Sequence, residues 1–233
     1  MILSELIQRS PIRIFEQSIH GGLKAGEIGI IASQTGIGKT SVLVQLALDK
    51  LLQGKKVVHV SFTKHTHHVL AWYEDIFGEF ISKKNLENKE DIKNEVVKNR
   101  VLMNFNQDGM STDQIINSLK AMIVDGGFKA EAIIVDGLDF TRTSRERFSN
   151  VKAFAQELGV AVWYSCSVKD GQPYDKENMP VLIQGFADLI NVVVVLGAKQ
   201  DHVELSVSKD RGTAVSKSMA MKLDPKTLLI LEK

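Results

Sequence analysis

Cysteine is nearly missing: the 233 residues contain one, Cys166, which excludes an internal disulfide and points to a reducing, cytoplasmic setting. It lies inside an apolar run and reads as a small buried hydrophobe. An excess of charge of either sign is also lacking, with 29 basic against 28 acidic residues and a formal net charge of +1. No global field therefore attracts or repels nucleic acid, and any basic surface has to be local. No apolar run approaches the roughly 18 residues that would span a membrane. The opening MILSELIQRSPIR has no long apolar segment of the kind a signal peptide carries. The expectation is a soluble protein without a membrane partner. Its length suits one medium α/β domain over residues 1–233, large enough to bury roughly 70–75% of its unfolded surface.

What is present is an ordered series of short apolar runs, at Ile28–Ala32, Val57–Phe62, Ala132–Val135, Val160–Cys166 and Ile190–Leu196, with a further strand at Val101–Phe105. Continuous apolar runs separated by helical patterns indicate a mostly parallel sheet covered on both faces. Helices are expected at Thr40–Gln53, apolar nearly all round, at Thr112–Asp125 and at Arg145–Leu158. Ser82–Arg100, dense in Lys, Asn and Glu, reads as a solvated helical excursion. Beyond Leu196 the pattern changes to alternating segments around Val203–Val207, Met219–Leu223 and Leu228–Leu231. Turn signals stand at Arg211-Gly212 and Asp224-Pro225, which predicts an antiparallel C-terminal edge.

The stretch Glu27–Gln45, EIGIIASQTGIGKTSVLVQ, places a glycine-bearing turn between a strand and a helix. In that context Ser33, Gln34, Thr35, Gly36, Ile37, Gly38, Lys39, Thr40 and Ser41 read as a phosphate-binding P-loop whose main-chain N–H groups wrap a triphosphate. Lys39 would reach the β- and γ-phosphates, and the Thr40 hydroxyl would hold Mg²⁺. Ser33 stands where the pattern has its first glycine, which predicts a formed but slightly altered loop.

The segment His20–Gln45, which adds HGGLKAG ahead of this stretch, followed by GKKVVHVSF (Gly54–Phe62), AIIVDGLD (Ala132–Asp139), AQELGVAVWYSC (Ala155–Cys166) and SKDRGT (Ser208–Thr213), makes the chain resemble the RecA-like ATPase core. The likeness is to the ATPase domain of DnaB-type replicative helicases and to KaiC/RadA-like proteins, and it covers most of Gly21–Asp224. It implies a RecA-like three-layer α/β fold and an ATP·Mg²⁺ site. Asp136, at the end of a strand where ligands of open α/β sheets bind, matches the aspartate that holds Mg²⁺; Asp139 is a second candidate. The catalytic positions depart from the resembled pattern. Its glutamate after the second strand is replaced by Thr63, whose hydroxyl does not ionise at neutral pH. Its γ-phosphate-sensing glutamine is replaced by Ser167. The expectation is nucleotide binding with slow hydrolysis, with Glu74, Asp75 or Asp139 as substitutes for the base.

Lys209 and Arg211 match a pair that, in the resembled families, crosses a subunit boundary to a neighbour's γ-phosphate. Residues two apart on a strand share a face, so both could address one anion. The resemblance thus implies a ring or filament of identical chains. In the loop after Asp136, Arg142, Arg145 and Arg147 stand where those families line a DNA channel, and they could neutralise phosphates of single-stranded DNA. An exposed helix start with charge pairs is the alternative. His65, His67 and His68, with His59 nearby, form no recognised metal-ligand spacing and read as a polar loop beside the nucleotide pocket. The resulting expectation is a weak ATPase acting in DNA replication, repair or recombination. The alternative is a degenerate, KaiC-like nucleotide-binding scaffold that acts on protein partners. A small-molecule P-loop kinase fits less well, because no Arg-rich lid is present.

Overall fold

The computed structural model describes residues 7–8, 10–62, 66–84 and 89–233. Helix α1 (Pro11–Ser18) leads into β1 (Ile28–Gln34), α2 (Lys39–Leu52), β2 (Lys56–Ser61), α3 (Thr66–Lys84), α4 (Lys89–Lys98) and β3 (Arg100–Asn104). After these come α5 (Thr112–Lys120), β4 (Ala130–Asp136), α6 (Arg145–Leu158) and β5 (Ala161–Val168). The remainder is β6 (Val192–Ala198), β7 (Val203–Asp210), β8 (Thr213–Leu223) and β9 (Ile230–Glu232).

The nine strands among the described residues belong to one sheet in the order β3-β2-β4-β5-β1-β6-β7-β8-β9. Every pairing from β3 across to β6 is parallel, and β6 to β9 are joined by antiparallel pairings. The apolar strands are continuous in sequence because both sheet faces are covered. On one face Val42, Leu46 and Ala47 of α2 pack with Phe15 of α1, Tyr73 and Ile76 of α3 and Val96 of α4. On the other, Ile116 and Leu119 of α5 and Phe148, Phe154 and Ala155 of α6 cover Ile30, Val60, Val135 and Val162. The architecture is therefore a mostly parallel α/β sheet between helical layers with an antiparallel C-terminal edge.

Local chemistry accounts for the element ends. Ser144 caps α6 by accepting from Arg147 N, and Gly159 ends it in the left-handed region at φ 64°. The single helix expected at Thr112–Asp125 divides into α5 and a π-helical turn, Ala121–Asp125. Between β7 and β8, Arg211 and Gly212 form the expected hairpin turn with φ of 45° and 92°. The charged excursion is carried by α4, in which Val96 alone is buried.

Candidate functional site

Strand β1 lies between β5 and β6, and its carboxyl end opens into the loop Gln34–Gly38. Gly36 and Gly38 adopt φ of 84° and 116°, a backbone region that a side chain disfavours. A Cβ on Gly38 would lie 2.3 Å from Leu223 Cδ2, whereas one on Gly36 meets nothing within 4 Å. Ser33 is not among the left-handed residues: β1 continues through it, paired with Ser167 of β5. Its backbone therefore has no need of glycine, and the strand-turn-helix geometry survives the substitution.

Lys39, at the first turn of α2, is buried, and burial pulls its pKa below the usual lysine value. Its Nζ donates to Ser33 O (3.0 Å), Ser33 Oγ (3.1 Å) and Gln34 O (2.8 Å). The Thr40 hydroxyl donates to Asp136 Oδ2 at 2.9 Å, joining the N-terminus of α2 to the carboxyl end of β4. Gln34, Thr35 and Gly36 are exposed along the crest. The loop thus presents an ammonium, a helix N-terminus and a hydroxyl–carboxylate pair in one place, which suits an anion accompanied by a hard cation. No cluster of three or more His, Cys, Asp or Glu able to hold a metal occurs among the described residues. Thr40 and Asp136 nonetheless fit Mg²⁺, which takes one or two protein oxygens and completes its shell with water and phosphate.

Ser41 serves a different purpose from the one its position suggests. Its side chain is fully buried and its hydroxyl donates to Leu228 O, so only its main chain is left to face an anion. Gln45, one turn further along α2, donates to Leu228 O (2.9 Å) and accepts from Ile230 N (2.8 Å). The turn before β9 is thereby clamped onto α2 beside Gly38. Nothing local in the sequence links residues so far apart, so this contact is made by the fold alone. A cleft of ≈ 290 Å³ adjoins the other flank of the loop, where Gln34 and Ile37 meet Tyr174, Asn178 and Lys199.

Several expected site residues are otherwise engaged. Lys209 and Arg211 do not share a strand face, because β7 ends at Asp210 and Arg211 turns into the left-handed region. Lys209 donates to Ala187 O and to Ile190 O (2.7 Å). Arg211 donates to both carboxylate oxygens of Glu27 (3.0 Å each), to Ile19 O (2.8 Å), to Asp210 Oδ1 (2.8 Å) and to Gly22 O. Asp210 pairs with Val192 opposite Gly29, which precedes Gln34 by five residues, or roughly 17 Å of strand. The pair therefore sits at the end of the sheet away from the loop of its own chain.

Arg142 pairs with Asp108, and Arg145 makes a two-pronged contact with Asp188 (2.7 and 2.5 Å) and donates to Gly185 O (2.8 Å). Arg147 is exposed without an ion pair among the described residues. It stands with Arg142 at the rim of an apolar cavity of ≈ 70 Å³ between the sheet and helices α5 and α6. The paired arginines correspond to the exposed helix start with charge pairs that the sequence also allowed.

Among the carboxylates considered as substitute bases, Asp139 caps the 3₁₀ turn Phe140–Arg142. Its bonds to Thr141 hold its carboxyl below the usual aspartate range. Glu74 and Asp75 are exposed on α3. Ser167 is exposed beside the loop, and Ser165 is buried, accepting from Gly137 N at 2.9 Å. Thr63 and His65 lie outside the described residues. His59 is not part of a polar loop: it is fully buried in β2, with Nδ1 3.1 Å from Tyr73 Oη and Nε2 without a partner among the described residues. Cys166 is buried as expected, and burial pushes its thiol up to about 12, leaving it inert. No protein-family model and no curated protein matches the chain.

Proposed function

We propose that this chain is a RecA-like P-loop protein that binds ATP·Mg²⁺ through Gly36–Ser41 and Asp136 and hydrolyses it slowly. The observation that carries this reading is the joint placement of Lys39 and Thr40 at the N-terminus of α2 behind two left-handed glycines, with Thr40 held 2.9 Å from Asp136. Main-chain N–H groups at the start of α2 and the Lys39 ammonium bind and orient the phosphates. Thr40 and Asp136 would hold the Mg²⁺, which supplies neutralisation of phosphate charge when bound.

Slow turnover follows from what faces the phosphates. Ser167 is too short to act as the longer polar side chain of the resembled pattern. Among the described carboxylates Asp139 is committed to a helical cap. Loss of a positioned base lowers rate by roughly 10²–10⁴ while leaving binding intact. The scaffold reading gains from the ion pairs of Arg142 and Arg145, which leave the loop after Asp136 with little free positive charge for DNA. A ring or filament remains part of the proposal, with head-to-tail contact bringing the Arg211 end of one chain to the loop of the next.

Calorimetric titration with ATP and Mg²⁺ tests the reading. Lys39→Ala should weaken binding about tenfold or more through loss of a charge-assisted contact. Equal affinity in the two proteins would remove the P-loop assignment. Hydrolysis stimulated by single-stranded DNA would favour the replication or repair role over the scaffold.

A further inference from the structure

The Lys39 ammonium has three N–H donors, and in this structure it meets three protein acceptors: Ser33 O, Ser33 Oγ and Gln34 O. Two of these are main-chain carbonyls that any residue at those positions would offer. The third exists only because position 33 is serine. The Ser33 side chain is fully buried, and its own proton is donated to Gln34 O at 2.8 Å. That bond points the oxygen lone pairs away from Gln34 and leaves them for Lys39. A phosphate oxygen needs a donor, so at least one of the three contacts has to be released when an anion enters the loop.

Oγ and Gln34 O both keep a partner when Lys39 departs, because the hydroxyl's own bond joins them. Giving up either contact still costs a charge-assisted hydrogen bond. Glycine at position 33 would carry no such oxygen, and its ammonium would have a donor to spare.

Resting on the nucleotide reading above, we propose that Ser33 is a positioning residue for Lys39. Its hydroxyl engages the third ammonium donor and lowers the affinity of the loop for nucleotide phosphates. Ser33 does not touch the phosphates; it acts through the lysine. Because its backbone is extended, Ser33→Ala removes the oxygen without disturbing the strand, and Ser33→Gly provides a second way of removing it.

The experiment compares wild type, Ser33→Ala and Ser33→Gly by calorimetric titration with ATP·Mg²⁺, together with side-chain ¹⁵N NMR of the lysine ammonium groups in nucleotide-free protein. Both variants should bind roughly three- to tenfold more tightly, the range expected for one charge-assisted hydrogen bond partly replaced by solvent. The Lys39 ammonium signal, assigned through its loss in Lys39→Ala, should be protected from exchange in wild type and broadened in Ser33→Ala. Unchanged or weaker ATP affinity in both variants, with wild type binding ATP, would overturn the proposal and leave the nucleotide reading intact. Absence of ATP binding in all proteins, wild type included, would overturn the nucleotide reading and the effect on affinity together. The NMR comparison then judges the contact by itself, and a Lys39 signal indifferent to Ser33→Ala would refute it.

Discussion

The two loop glycines carry different constraints, and the difference can be measured. Gly38→Ala combines a left-handed backbone with a Cβ placed 2.3 Å from Leu223 Cδ2, so the variant should lose roughly 1–3 kcal/mol of stability and most ATP affinity. Gly36→Ala has the same backbone problem but free space around it, and should lose only about 1 kcal/mol. Thermal melts of the pair, with ATP titration, check the order; a more harmful Gly36→Ala would contradict it. His59 gives the pH prediction. Burial lowers its pKa to about 4, opposed by Asp136 and assisted by Arg100, so the folded protein keeps the ring neutral. The unfolded chain takes up this proton near pH 6.5, so it binds more protons than the fold does as pH falls from about 6.5 to about 4. Stability should drop across that window by on the order of 3 kcal/mol, and His59→Gln should flatten that part of the profile. Parallel stability profiles for variant and wild type would show that His59 is not held neutral. Lys39 and Asp136 could be read from their motif contexts, and burial of His59 follows from its place in the apolar run Val57–Phe62, but its contact with Tyr73 could not, since that residue lies on a separate helix.

At the scale of elements, the carboxyl-terminal turn and the β7–β8 hairpin hold the sheet to helices distant in sequence. Gln45→Ala removes the bonds to Leu228 O and Ile230 N that clamp the turn before β9 onto α2. It should cost roughly 1–3 kcal/mol by chemical denaturation, because buried Ile230 N loses its acceptor while Leu228 O keeps only Ser41. It should also weaken ATP binding, since the same turn abuts Ser41 and Leu223 backs Gly38. Arg211→Ala has two distinguishable outcomes. As a residue bonded to Glu27, Ile19, Asp210 and Gly22, Arg211→Ala should destabilise the fold by roughly 1–3 kcal/mol through the acceptors it abandons. A variant with unchanged melting but much reduced turnover would restore the inter-subunit role. The strands and helices α2, α5 and α6 were legible, because each apolar run is continuous or periodic over its own length, whereas α1 and α3 were not: His67 and His68, read as a polar loop, lie in the first turn of α3. The π-helical turn that follows α5 depends on packing that the period alone does not encode, whereas the departure of Arg211 from its strand was signalled by the turn residues Arg211-Gly212.

For the whole molecule, local charge decides how nucleic acid would be met. With Arg142 and Arg145 paired to Asp108 and Asp188, Arg147 is the one of the three available without breaking an ion pair. Single-stranded DNA bound through this loop should then show a log K against log salt slope of about −0.7 per chain, against about −2 if all three arginines neutralise phosphates. Fluorescence anisotropy across a salt series distinguishes them, and the steeper slope would mean that the ion pairs open on contact. The sequence by itself determined the α/β class, the antiparallel edge and the phosphate-loop candidate, because hydrophobic period, turn residues and a contiguous motif are written within short windows of chain. Only the tertiary structure decided which polar side chains are free to act. Ser33 against Lys39, Ser41 and Gln45 against Leu228, Arg211 against Glu27 and Arg145 against Asp188 are contacts made by folding, and hydrogen bonds and ion pairs have a range of a few ångströms that sequence spacing does not report.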